Sequence, residues 1–90
     1  MSIVAIITRI MPDSPEADLE EIEKETTKIL KSKGAKNISF TEEEVAFGLK
    51  ALLVKFAWPE EKDTEIIEVS LASIKGVSSA KIEDYRRAFG

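Results

Sequence analysis

The chain has 90 residues, of which 43% are hydrophobic and 33% charged, enough for one packed domain spanning residues 1–90 and too few for two. It contains no cysteine and no histidine, which excludes a disulfide framework, a thiolate metal site and every nucleophile that relies on an imidazole base. The net charge of -4 argues against broad nucleic-acid binding.

Ile3 to Met11 is rich in β-branched residues and apolar on both parities, as expected of a central strand. Arg9 breaks the odd parity near its end. The apolar run Ile3 to Ile7 is too short for a signal peptide or a membrane span, so a cytoplasmic location is expected. Pro12-Asp13-Ser14-Pro15 ends the strand, because proline donates nothing to a ladder.

A helix is predicted from about Asp18 to Ser32. Asp18 and Glu21 have the spacing of a capping box. Leu19, Ile22, Thr26, Ile29 and Leu30 fall on one face. Acids crowd its first half and lysines its end, an order that complements the helix dipole. Gly34 closes it. Asn37-Ile38-Ser39-Phe40-Thr41 alternates like an edge strand with one wet face. Glu42-Glu43-Glu44 reads as a solvated interruption. Three adjacent carboxylates on an extended chain point to alternate sides, which argues against a metal site.

A third strand is predicted from about Gly48 to Trp58, stopped by Pro59. Leu52, Val54, Phe56 and Trp58 share the parity expected to pack on helices. Leu53, Lys55 and Ala57 share the more open one. Asp63 or Thr64 caps a second helix running to about Lys75, with Ile67, Leu71 and Ile74 as its core stripe and Gly76 as its stop. Val77 to Arg86 is a last strand, with Ala80 and Ile82 on one parity and Lys81, Glu83 and Tyr85 on the other. The end, Tyr85 to Gly90, is locally basic.

The order is β-α-β-β-α-β. Two right-handed crossovers make this an α+β, ferredoxin-like sandwich: a four-stranded antiparallel sheet with two helices on one face and strands one and three central. This fold carries many unrelated activities. Metal transport would need a thiolate pair. RNA recognition would need exposed aromatics on the central strands, but strand one has none, and Phe56 and Trp58 lie on the core parity. Acyl-phosphate chemistry would need a Gly-rich phosphate cradle, and no such pattern is present. No nucleophile and base stand out, so no covalent chemistry, cofactor or metal is expected. A small-molecule-sensing regulatory module of the same fold remains the alternative.

Surface features that could grip a protein remain. Phe47 beside Gly48 is either a projecting aromatic anchor or a rim residue capping the core, and pattern alone favours the cap. Lys50 either pairs with a partner or extends to water. Arg86 and Arg87 either reach a carboxylate or phosphate site or belong to a solvated tail.

The chain resembles the elongation factor one-beta family, the small nucleotide exchange factors of archaeal translation, and is similar to the C-terminal catalytic domain of their eukaryotic counterparts. The resemblance spans nearly the whole length. It rests on Ile10-Met11-Pro12-Asp13-Ser14-Pro15, Asp18-Leu19-Glu20, Val45-Ala46-Phe47-Gly48-Leu49-Lys50-Ala51-Leu52 and Ile74-Lys75-Gly76-Val77-Ser78. It implies binding to the GTPase elongation factor one-alpha, in its GDP-bound and nucleotide-free forms, and release of GDP so that GTP enters and aminoacyl-tRNA can bind again. No direct contact with nucleic acid or a membrane is implied. In the eukaryotic relatives the aromatic of a Phe-Gly or Tyr-Gly pair docks on the GTPase, and it matches Phe47. Gly48 would then let the backbone turn the aromatic outward, with Lys50 on the same contact surface. A lysine next to their C-terminal residue disturbs the magnesium and phosphate site. It aligns with Arg87, where arginine replaces lysine and three residues follow; Arg86 is the alternative.

Overall fold

The computed structural model describes residues 2–87. Its elements are β1 (Ile3–Pro12), α1 (Leu19–Ser32), β2 (Lys36–Glu44), β3 (Lys50–Pro59), α2 (Glu65–Ala72) and β4 (Val77–Arg87). The four strands form one antiparallel sheet in the order β2-β3-β1-β4. β1 and β3 are therefore central, and the fold is the ferredoxin-like α+β arrangement. Among the described residues no helix is long and apolar enough to cross a membrane.

The core lies between the sheet and the two helices. Along β1 the even residues Val4, Ile6, Thr8 and Ile10 are fully buried. Their partners in β3 are Trp58, Phe56, Val54 and Leu52, the parity that the alternation assigns to the helices. α1 contributes Ile22, Thr26 and Leu30, and α2 contributes Ile67 and Leu71. The Asp18 carboxylate caps α1 by accepting from the Glu21 N–H at 3.2 Å, which satisfies one of the donors that a helix start leaves free. The Thr8 and Thr26 hydroxyls are buried without a partner among the described residues, at a cost of about 1–3 kcal/mol each.

Four expectations change. The acidic run does not interrupt β2 but extends it, because Glu42, Glu43 and Glu44 pair with Leu52, Ala51 and Lys50. Alternation sends Glu43 to the open face and Glu42 to the other. Arg9 pairs with Glu43 on one side and with Glu83 on the other, tying the two edge strands across the open face. The Arg9 pKa is accordingly raised, first by its hydrogen bond to Glu83 and then by that to Glu43. Second, Gly48 lies in the turn before β3 and not in the strand. Third, α2 ends at Ala72 instead of near Lys75. Ser73 caps it, and its hydroxyl donates to the Ser70 carbonyl at 2.7 Å. At the other end the Asp63 carboxylate accepts from the Glu65 N–H at 2.9 Å.

Fourth, Tyr85 does not share a face with Lys81. Thr8 faces Ile82 while Ile7 faces Asp84, so Glu83 is an extra residue in β4. A bulge of this kind reverses the parity of the residues beyond it. Tyr85 therefore pairs with Ile6, on the helix side.

Glu23 gives a pH test of the packing between α1 and β2. Burial, then the charges of Glu42 and Glu20, raise its carboxyl pKa. A carboxyl whose pKa is raised by folding disfavours the folded state once ionised, so its penalty is present at neutral pH and disappears as pH falls through the raised pKa. Glu23→Gln is expected to melt at or above the wild-type temperature at pH 7. The difference should shrink on acidification; a constant difference from pH 7 to pH 4 would contradict this origin.

Candidate partner-binding site

β2 and β3 are joined by Val45 to Leu49. The Val45 N–H donates to the Leu49 carbonyl at 2.9 Å, and the Leu49 N–H donates back to the Ala46 carbonyl at 3.3 Å. Closing so short a loop requires a reversal that right-handed residues alone do not supply. Phe47 supplies part of it at φ 63, ψ 31, and Gly48 the rest at φ 75. Glycine adopts that φ without penalty, whereas a bulky residue there carries about 1–2 kcal/mol of strain. A Cβ built on Gly48 would meet nothing within 4 Å, so the constraint is the backbone and not the space around it.

The outcome is that Phe47 is 93% exposed. The cap reading of this residue is therefore replaced by a projecting one. Burying apolar surface is the main driving force of folding. A phenyl ring held in water on a strained residue contributes nothing to stability, so it points to a use outside the fold.

Lys50 opens β3 opposite Glu44. Its ammonium is 3.8 Å from Glu42 and half-exposed, and such a pair contributes little. A groove of about 350 Å³ beside the hairpin is lined by residues of the β1–α1 connection together with Glu42, Gly48 and Lys50. The structure thus brings Phe47, Gly48 and Lys50 together at one end of the sheet.

Arg86 and Arg87 lie elsewhere. Arg87 pairs with Val4, and Val4 with Trp58, whereas the hairpin adjoins Lys50 at the opposite end of β3. Eight residue-to-residue steps of strand lead from Lys50 to Trp58, about 26 Å at 3.3 Å per step, in a molecule 41 Å long. Arg86 is paired with Asp84 on its own strand at 3.1 Å. Arg87 is paired with Glu60 beyond β3, at 2.6 Å from Nη2 and 2.8 Å from Nε. The rest of the basic end, Ala88 to Gly90, lies outside the described residues. Among the described residues no three metal-ligating side chains converge.

Nothing in the sequence singles out Glu60 within the polar stretch Glu60-Glu61-Lys62-Asp63 except that it is a carboxylate just after the strand-ending Pro59.

Fold and hairpin together define a ferredoxin-like domain that carries a protruding aromatic at one end of its sheet and a paired arginine at the other. Its sequence matches the family model described as the EF-1 guanine nucleotide exchange domain over residues 5–88. It is 38% identical to an elongation factor 1-beta of Halobacterium salinarum over 97% of this chain and 99% of the relative. It is 39% identical to one of Methanothermobacter thermautotrophicus over 97% and 98% of the two chains, and 36% identical to one of Metallosphaera sedula over 91% of each. The chain belongs to the EF-1 guanine nucleotide exchange domain family.

Proposed function

We propose that this chain is a nucleotide exchange factor of translation elongation that binds elongation factor one-alpha carrying GDP, promotes GDP release and leaves the GTPase ready for GTP and aminoacyl-tRNA. Family membership supports the class. The observation that carries the mechanism is the separation of two contacts on one stiff sheet: an exposed Phe47 at one end and Arg87 at the other.

In this reading Phe47 is the anchor. An aromatic seated in a partner's pocket supplies much of an interface's energy from a small area, and the hairpin's two left-handed residues fix its direction before docking. Gly48 makes that backbone possible, and Lys50 lies on the same contact surface. Arg87 is the second contact, with Arg86 the less favoured choice because among the described residues it is tied only to its own strand. A guanidinium is a permanent cation with a planar set of donors suited to phosphate oxygens. Brought to the magnesium and phosphate site of the GTPase, it competes for the interactions that hold GDP.

No bond is made or broken. The factor binds the nucleotide-free GTPase more tightly than the GDP-bound form, and only that difference shifts the equilibrium. Linkage makes the effect reciprocal: the factor weakens GDP binding by the ratio by which GDP weakens binding of the factor. Small surface contacts suffice for such work, so it places no demand on a nucleophile, base, metal or cofactor.

The test is release of fluorescent GDP from preloaded elongation factor one-alpha after mixing with this protein and excess unlabelled nucleotide. Release should accelerate and then saturate with factor concentration. Release at the intrinsic rate at every concentration would overturn the proposal.

A further inference from the structure

We propose that Glu60 is a positioning residue that presets the Arg87 guanidinium for its contact with the partner's nucleotide site; this rests on the exchange-factor reading above. Glu60 is the first residue after β3, and its N–H donates to the Ser2 carbonyl at 3.0 Å. Its backbone is thus tied to the start of β1, the strand that separates β3 from β4. From that fixed corner one carboxylate oxygen accepts from Arg87 Nε at 2.8 Å and lies 2.6 Å from Nη2. The pair therefore spans the end of the central strand and joins two elements that are not neighbours in the sheet.

The geometry of the guanidinium gives this pair its consequence. The group is planar and carries five N–H donors in a rigid fork. Glu60 holds the Nε–Nη2 edge. The donors on Nη1 and the second N–H of Nη2 are turned away from the carboxylate. The Arg87 side chain is 63% exposed and that of Glu60 26%, so the pair sits at the protein's surface with the guanidinium open to a partner. An arginine fixed this way has already lost the rotamer freedom that a loose one gives up on docking. Arg86 has no comparable support: its partner Asp84 is two residues away on the same strand, and its side chain is 78% exposed.

Glu60 also carries a negative charge, and that charge would oppose a nearby phosphate. The two effects differ in sign and can be told apart. Positioning predicts that Glu60→Ala lowers the maximal rate of fluorescent GDP release from elongation factor one-alpha about fivefold, the scale of freeing one long side chain. The half-saturating factor concentration should stay nearly unchanged, because Phe47 is untouched. Glu60→Gln keeps an acceptor oxygen at the same reach and should restore most of the rate. In an Arg87→Ala background, Glu60→Ala should have no further effect.

Faster exchange by Glu60→Ala would show that Glu60 competes with the phosphate and overturn the proposal. An equal loss in the Arg87→Ala background would overturn it too, since the effect would then be merely structural. If Arg87→Ala alone exchanged like wild type, the second contact would be wrong and this inference would fall with it. Failure of the wild-type protein to speed release is a different result, and it would overturn the exchange reading itself.

Discussion

Phe47→Ala is expected to raise the factor concentration for half-maximal nucleotide exchange at least about 30-fold, the equivalent of the 2 kcal/mol that marks an interface anchor, while leaving the melting temperature where it was. The two halves of this expectation have separate physical causes. Phe47 is 93% exposed in the free protein, so removing its ring takes no apolar area out of the core. The left-handed backbone remains as costly for alanine as for phenylalanine, so strain does not change either. Phe47→Gly sharpens the test. Glycine relieves the strain at φ 63 and partly offsets this through its larger unfolded-state entropy. That variant should melt at or above the wild-type temperature and still dock poorly. A variant that is at least as stable yet much weaker in exchange places the role of the ring outside the fold. Phe47→Ala with wild-type exchange at limiting factor concentration would remove the anchor from the mechanism.

Phe47 also marks the limit of what the residues reveal by themselves. Val45 to Leu52 is apolar almost throughout, and an aromatic within such a run scores as core. What sends Phe47 outward is the hairpin, which needs left-handed residues between Glu44 and Lys50. Gly48 signals one of them, but nothing in the side chain of Phe47 signals the other. The resemblance to exchange factors supplied the outward reading that the local pattern lacked. The same reasoning covers the acidic run. Three glutamates read as a solvated interruption, whereas the sheet supplies Arg9 and Lys50 as counter-charges.

Where the signal is periodic, it carried through. The helix-facing stripe of β3, the capping aspartate of α1 and the central placement of β1 and β3 all follow from local chemistry that tertiary packing does not oppose. The bulge at Glu83 could not be read in this way. One extra residue changes no residue type, only the count opposite Ile7 and Thr8, yet it decides that Tyr85 and Arg87 turn toward the helix side while Arg86 faces the open side. Which arginine reaches Glu60 is therefore a property of register, invisible to composition or alternation.

Trp58→Ala is expected to cost about 3–5 kcal/mol of unfolding free energy, the usual range for truncating a buried aromatic. Trp58 is 1% exposed and meets Phe56 edge to face, with centroids 6.0 Å apart and planes at 78°. Its indole N–H donates to the Lys62 carbonyl at 3.4 Å. The Lys62 ammonium lies 5.3 Å from the ring centroid and also donates to the Lys33 carbonyl at the end of α1. Trp58 thus joins the core to the turn after β3, and Lys62 carries the link on to the C-terminus of α1. A domain of this size has about 5–15 kcal/mol in total, so the variant should be marginally folded, with a denaturation midpoint far below wild type. Trp58→Phe keeps most of the volume but not the N–H donor, and should lose clearly less. A loss under about 1 kcal/mol for Trp58→Ala would mean that the corner repacks and that this reading of the core is wrong. The contrast with Phe47 has a mechanical sense. The turn held by Trp58 is the one that carries Glu60, and Glu60 holds Arg87. At that end stability and the set of the guanidinium depend on the same packing, whereas at the hairpin end Phe47 stands clear of the core. Variants near Trp58 should therefore lose stability and maximal exchange rate together, and variants of Phe47 should lose only the grip on the partner.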